Sequence, residues 1–295
     1  MDTQRLKGFL AVARYGSFSR AAEKTFRTQP AVSLQIRSLE NELKTKLFDR
    51  LNPRKIVLTD AGKALLDLAS PLFDEIDTLK SRFNETCGRI GSSTLTIATH
   101  SSVMTYLLPD IIRAFKKKLS DCRLSIVSRG RKDIISMVND GEAEIGITSL
   151  STVPPVMDYR VFRRFNRMLI ARKGHPLSKK HTIRPEDIAT YPLLVPPLGG
   201  NTRMVIDEVF KKHGLKYMIA MEIAGREAVK PYVEMDLGVS IINEYYLDDE
   251  DRGKFFVKDV SRDFGSAERG IITKKNRHLP KPAKEFISIL LNHFK

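Results

Sequence analysis

The chain has 295 residues, 42% hydrophobic and 29% charged, which suits ordinary globular units with room for two or three cores. No apolar run approaches the roughly 18 residues of a membrane helix, and no basic-then-apolar leader opens the chain, so a cytoplasmic protein without a membrane partner is expected. The net charge of +15 favours a polyanionic partner. Residues 1–90 carry 16 Lys+Arg against 11 Asp+Glu, and residues 91–295 carry 34 against 24, so a second anion is expected in the C-terminal part. Cys87 and Cys122 form neither a disulfide framework nor a metal cluster, so inert thiols, no metal and no resident cofactor are expected.

Leu6, Phe9, Leu10 and Ala13 make an apolar stripe at helical spacing, predicting a first helix over 3–15 that stops at Gly16. Ser19 is the expected cap of a second helix, whose small Ala21 and Ala22 allow a close crossing. A third helix follows Thr28, the expected N-cap, with Pro30 in its first turn, where a missing N–H is harmless. Val32, Ile36, Leu39 and Leu43 share one side of it; Gln29, Ser33 and Arg37 share another. Such a helix suits a DNA major groove. Gln29 and Ser33 can read base edges, Thr28 to Ala31 can offer backbone N–H groups to phosphate, and Arg37 is placed for phosphate contact. Leu34 lies off the stripe, facing either a thymine methyl or the rim of the core. Ser19 and Arg20 complete the expected contacts on the second helix. Residues 47–59 read as a two-stranded wing with its turn at Asn52-Pro53, and Arg50, Arg54 and Lys55 around the tip suit flanking phosphates or the minor groove.

The pattern Phe9-Leu10, Gly16-Ser17-Phe18-Ser19, Ala21-Ala22, Gln29-Pro30-Ala31-Val32-Ser33, Ile36, Leu39-Glu40, Leu43, Leu47-Phe48, Arg50, Leu58-Thr59 and Ala61-Gly62 resembles the N-terminal domain of LysR-type transcriptional regulators. The resemblance implies a winged helix-turn-helix, operator DNA as partner, a homodimer or homotetramer, and contact with RNA polymerase. It also exposes a departure. Such proteins place glycine after the recognition helix, where this chain has Lys44, a residue for which a left-handed backbone costs on the order of 1 kcal/mol.

A long helix is predicted from residue 59 or 60 to about 83. Leu65, Leu68, Leu72, Ile76, Leu79 and Phe83 are spaced 3, 4, 4, 3 and 4, near a heptad seam, so pairing with a second copy is expected. Pro71 lies inside it, predicting a kink or local break. A linker around Cys87 to Ser93 leads to alternating strands and helices. Strands are predicted at 94–99, 123–128, 144–149, 168–171, 192–195, 218–223 and 239–242, and helices at 106–119, 132–139, 203–213 and 227–235. That alternation predicts a largely parallel α/β domain in two halves. The expected divisions are 1–59 for DNA binding, 60–89 for pairing and 90–295 for effector binding. Resemblance to the LysR-type effector domain, related in fold to periplasmic binding proteins, implies a first lobe of 90–163 with 267–295 and a second of 164–266. His175-Pro176-Leu177 and Asp236 to Ile242 are similar to landmarks of that second lobe.

Ligands of open α/β sheets lie at strand carboxyl ends, against helix N-termini. This selects His100, Ser101, Ser102, Ser128, Arg129, Gly130, Thr148 and Ser149 in the first lobe, and Gly200, Asn201, Thr202, Arg203, Gly225 and Arg226 in the second. Hydroxyls and N–H groups there suit a small anionic metabolite as co-inducer. The 98–102 segment and Thr202-Arg203 are similar to those of sulfur- and cysteine-metabolism regulators, although threonine is usual where His100 and Ser102 stand. The expectation is a sequence-specific DNA-binding regulator whose activity responds to a small anionic effector bound between the two lobes of the C-terminal domain. A binding protein of the same fold that senses a solute or redox state without a classical effector is the alternative, and a transport protein is disfavoured by the helix-turn-helix. No nucleophile elbow, P-loop, dinucleotide fingerprint or zinc spacing supports an enzyme, so no catalytic residue is expected.

Overall fold

The computed structural model describes residues 2–52, 55–87, 94–150, 152–223 and 228–295. They fall into two compact units, Met1–Arg89 with Asn276–Pro280, and Ile90–Lys275 with Lys281–Lys295.

In the first unit, α1 (Thr3–Tyr15), α2 (Phe18–Lys24) and α3 (Gln29–Leu43) precede the strands β1 (Phe48–Asn52) and β2 (Lys55–Leu58) and the long α4 (Asp60–Thr86). Helix α1 ends at Gly16, whose φ of +59° is open to glycine. Phe9, Val12, Ala21, Ala22, Val32, Ile36, Leu39 and Leu47 are buried together. The α2 cap is Ser17, whose hydroxyl accepts from the Arg20 N–H; Ser19, the residue expected there, lies inside the first turn of the helix and is exposed. Leu43 is likewise not core but solvent-facing at the helix end. Lys44 takes up the left-handed conformation (φ +53°), and the following Thr45 N–H donates to Glu40 O at 3.1 Å, closing α3 as a glycine would.

One residue ties the unit together. The Leu47 N–H donates to Glu40 Oε1 on α3 at 2.9 Å, while Leu47 O accepts from the Thr59 N–H ahead of α4 at 3.0 Å. Thr59 Oγ1 in turn donates to Lys46 O and accepts from the Gly62 N–H. A β-carbon at Gly62 would stand 2.1 Å from Leu47 O, so this junction requires glycine. Helix α4 is continuous through Pro71, without the local break allowed for there. Leu65, Leu66, Ala69 and Phe73 pack on the unit's core. Leu68, Leu72, Leu79 and Phe83 are each more than half exposed.

The second unit begins with β3 (Thr94–Thr99), α5 (Ser101–Tyr106), α6 (Pro109–Lys118), β4 (Arg123–Ser128), α7 (Arg131–Asn139), β5 (Ile145–Thr148) and β6 (Met157–Phe165). It continues with β7 (Arg167–Arg172), α8 (Pro185–Ala189), β8 (Leu193–Val195), α9 (Asn201–Lys212), β9 (Ile219–Glu222), α10 (Val229–Glu234) and β10 (Ser240–Asn243). Helix α11 (Asp249–Lys254), β11 (Phe255–Asp259), α12 (Ser261–Phe264), β12 (Ala267–Lys274) and α13 (Lys281–His293) complete it. The first lobe's sheet runs β4-β3-β5-β12-β6, and the returning β12 is antiparallel to both its neighbours. In the second lobe β7 lies antiparallel between β10 and β11, and β8 pairs parallel with β9. The expected largely parallel domain is therefore mixed, because the chain crosses between lobes on β6 and returns on β12. The helix expected over 106–119 is α6, which starts three residues later at Pro109, and the short α5 ahead of it, parted from it by Leu107-Leu108, has no counterpart among the expected elements.

Candidate nucleic-acid interface and effector cleft

Helix α3 divides its faces sharply. Val32, Ile36 and Leu39 are buried, whereas Thr28, Gln29, Pro30, Leu34 and Arg37 are exposed and Ala31 and Ser33 are half-buried. Leu34 is 69% exposed, which removes it from the core and leaves its apolar end facing outward. Thr28 is the N-cap by backbone, but its hydroxyl makes no capping bond, so the first-turn N–H groups are not closed off by that side chain. Ser33 and Arg37 open onto a groove of about 270 Å³ lined also by Phe18, Ile36, Glu40, Lys46 and Phe48. Arg20 is exposed on α2. In the wing, Arg50 pairs in register with Ile56, and Asn52 with Lys55. Of the expected turn at Asn52-Pro53, Pro53 lies outside the described residues, as do Arg54 and the side chains of Arg50 and Lys55.

In the second unit the carboxyl ends of β3, β4 and β5 meet. His100 Nε2 and Thr148 Oγ1 are hydrogen-bonded at 2.8 Å, and the Arg129 N–H donates to Thr99 O at 2.8 Å. Ser102 and Thr148 are buried; Ser101, Ser128, Arg129 and Gly130 are exposed and Ser149 is half-buried. The Arg129 guanidinium donates to Ser128 O. Gly130 is the N-cap of α7.

In the second lobe Gly200 is the N-cap of α9, Asn201 is half-buried and Thr202 is buried. Thr202 lines a small cavity of about 20 Å³, room for about one water, with Leu194, Val195, Pro196, Ile223, Val229, Ser240, Ile241, Ile242 and Tyr246. Its walls are mainly apolar, and the hydroxyls of Ser240 and Tyr246 are engaged by Leu194 O and by the Tyr245 hydroxyl. Arg203 does not line it. Its guanidinium donates to Asp207 at 3.0 Å, Glu222 Oε1 at 2.7 Å and Pro196 O at 3.1 Å. The Glu222 carboxylate first, and Asp207 after it, hold the guanidinium well above its ordinary pKa. Tyr217 also donates to Asp207, and burial with that neighbour pushes its hydroxyl up to about 12. An Arg203 aimed at an anion, as the sequence suggested, is thus replaced by an arginine whose charge is taken up by two carboxylates. Gly225 and Arg226 lie outside the described residues.

The lobes meet through residues that sequence reasoning missed. Tyr106 at the end of α5 packs edge-on against Tyr246 at 5.4 Å, placing a first-lobe ring against the cavity wall. Tyr246 and Tyr245 hydroxyls are 3.0 Å apart, and buried Arg269 of β12 donates to Tyr245 Oη at 2.7 Å. Asn243 Nδ2 donates to the same oxygen at 3.3 Å. The available signal was two adjacent tyrosines shortly after the apolar run Val239 to Ile242. Among the described residues no group of His, Cys, Asp and Glu could hold a metal, and no helix is long and apolar enough to cross a membrane.

Comparison with known proteins accounts for both units. Residues 3–63 match the profile "Bacterial regulatory helix-turn-helix protein, lysR family", and residues 89–295 match "LysR substrate binding domain". The HTH-type transcriptional regulator cbl of Klebsiella aerogenes is 34% identical over 83% of this chain and 78% of its own. The HTH-type transcriptional activator CmpR of a Synechocystis species is 31% identical over 97% and 93%. The crystal structure of the cofactor-binding domain of the Cbl transcriptional regulator superposes with a TM-score of 0.64 at 25% identity, covering 69% of this chain and 90% of that one. A full-length OxyR variant from Pseudomonas aeruginosa shares the fold with a TM-score of 0.74 at 19% identity, over 100% and 94%. A helix-turn-helix with its polar face outward and a two-lobed domain with a cavity are thus both accounted for, and the chain belongs to the LysR family of DNA-binding transcriptional regulators.

Proposed function

We propose that this regulator reads a two-half-site operator as a homodimer or homotetramer in the cytoplasm, and that a small anionic effector in the cleft between the two lobes of residues 90–295 sets its output. The reading head is residues 1–59, with Gln29, Pro30, Ser33 and Leu34 at base edges and Ser19, Arg20, Thr28, Ala31, Arg37, Arg50, Arg54 and Lys55 toward the backbone. Residues 60–89 pair the copies. The exposed stripe Leu68, Leu72, Leu79 and Phe83 supports that role, since a soluble monomer gains nothing from it. Residues 90–295 bind the effector, and RNA polymerase is the further partner.

What supports the effector site is the set of polar groups at the carboxyl ends of β3 and β5, with His100 Nε2 and Thr148 Oγ1 2.8 Å apart, together with Thr202 buried in the first turn of α9. An anionic head held there meets backbone N–H groups and hydroxyls rather than Arg203, whose guanidinium is paired with Asp207 and Glu222. Tyr106 against Tyr246 offers a route by which occupancy changes the angle between lobes. The test is a thermal-shift series with inorganic sulfate, thiosulfate and short carboxylates. A ligand at a hundredfold its Kd stabilises the fold by about 2.7 kcal/mol. Thr202→Val should erase that shift. A shift that survives Thr202→Val, from a ligand bound once per chain, would place the effector elsewhere.

A further inference from the structure

Phe26 stands in the turn between α2 and α3 with φ +54°, and it is 98% exposed. Nothing in the turn calls for a phenylalanine. The turn closes through main-chain bonds, from the Arg27 N–H to Ala22 O at 2.8 Å and from the Phe26 N–H to Glu23 O at 3.2 Å. Glycine or asparagine is favoured at such a position, because a β-carbon at positive φ is strained. Burial does not offset that strain, since the ring lies in solvent. The same unit buries or half-buries Phe9, Phe18, Phe48 and Phe73. A residue opposed by both backbone and hydration is placed for something outside its own chain.

Its position selects the occupant. Phe26 lies two residues before Thr28, the N-cap of α3, and its neighbours Thr28, Gln29 and Pro30 are exposed as well. Arg27 fixes this end of the turn to α1 through a 2.6 Å bond to Gln4 Oε1. The ring therefore occupies the end of the helix-turn-helix that meets base edges.

We infer that Phe26 is a DNA-contact residue whose ring packs on the apolar surface of the groove wall, the deoxyribose carbons and a thymine C5-methyl, beside the first turn of α3. This deepens the operator-reading function, on which it rests, and adds a specificity determinant that carries no charge. Because it displaces no counterion, it adds affinity without adding salt dependence.

The test uses the full-length protein and the duplex that the wild type enriches from a random-sequence pool. Phe26→Asn is expected to raise the thermal midpoint, by relief of the backbone, while weakening binding about tenfold with an unchanged salt slope. Phe26→Leu should recover part of the affinity. Arg37→Ala, the phosphate-contact reference, should instead flatten the salt slope. Wild-type affinity in Phe26→Asn overturns the inference, and so does a lowered thermal midpoint, which would make the ring part of the fold. Loss of self-association by Phe26→Asn in sedimentation without DNA also overturns it, because the ring would then be covered by a second copy. Failure of the wild type to enrich any duplex would instead sink the operator-reading function itself.

Discussion

Lys44→Gly is a mutation whose sign follows from one dihedral angle. Lys44 ends α3 at φ +53° and ψ +32° and is exposed, so its side chain holds no packing that glycine would forfeit. An L-residue in this region carries about 1–2 kcal/mol of strain. Glycine removes that strain but gives the unfolded chain more freedom, which costs about 0.4–1 kcal/mol. The balance is a gain of about 1 kcal/mol. For a unit the size of Met1–Arg89 that raises the midpoint by roughly 4–8 °C. Far-UV circular dichroism of the full chain, following the transition assigned to the first unit, measures it. Lys44→Ala is the control: it keeps the β-carbon and should move the midpoint little. A Lys44→Gly midpoint at or below wild type, with Lys44→Ala neutral, would refute the reasoning and show that the lysine head contributes more than the backbone loses.

Gly62→Ala should destabilise the same unit by about 1–3 kcal/mol, read from urea midpoints, since the new methyl meets the Leu47 carbonyl rather than a movable side chain. Arg203→Met should cost about 2 kcal/mol, less than a fully buried pair, because Asp207 and Glu222 stay 41% and 45% exposed and hydrated. Effector-induced thermal shifts should survive that substitution; their loss would return the guanidinium to the binding site. Burial lowers the pKa of His175 below 6.5. The unfolded chain therefore binds a proton that the folded chain refuses, so this contribution is complete above pH 6.5 and is lost as pH falls through the folded value. Urea midpoints of His175→Asn should be flatter across that window than those of the wild type.

Local rules suffice where the chain closes its own contacts nearby. The stripe of α1, the start of α3 and the β3, β4 and α7 segments all follow side-chain periods within a few residues. The cap of α2 shows the limit. Ser17 and Ser19 are equally good chemically, and only the point at which the backbone turns helical separates them. Strand β6 escapes such rules because MDYRVFRRF puts arginines where a half-buried strand would alternate, and its pairing with β12 lies about a hundred residues away. Arg203 looks like an anion ligand from its place beside a Gly-Gly turn. Its i+4 partner Asp207 is legible, but Glu222 reaches it only through the β8–β9 pairing. The tyrosines joining the lobes are beyond local reach for the same reason, since Arg269 and Tyr106 are distant in sequence from Tyr245 and Tyr246.

Leu47 has a consequence for regulation. With its amide held by Glu40 and its carbonyl by Thr59 just ahead of α4, the wing root cannot swing without breaking bonds to the recognition helix and to the entry of the long helix together. The head therefore travels as one die. A signal from an occupied cleft has no soft joint here with which to reshape the grip on individual bases. What it can alter is where each die strikes along the duplex. Such a switch would leave the half-site preference the same in its on and off states and change only the phase between successive half-sites.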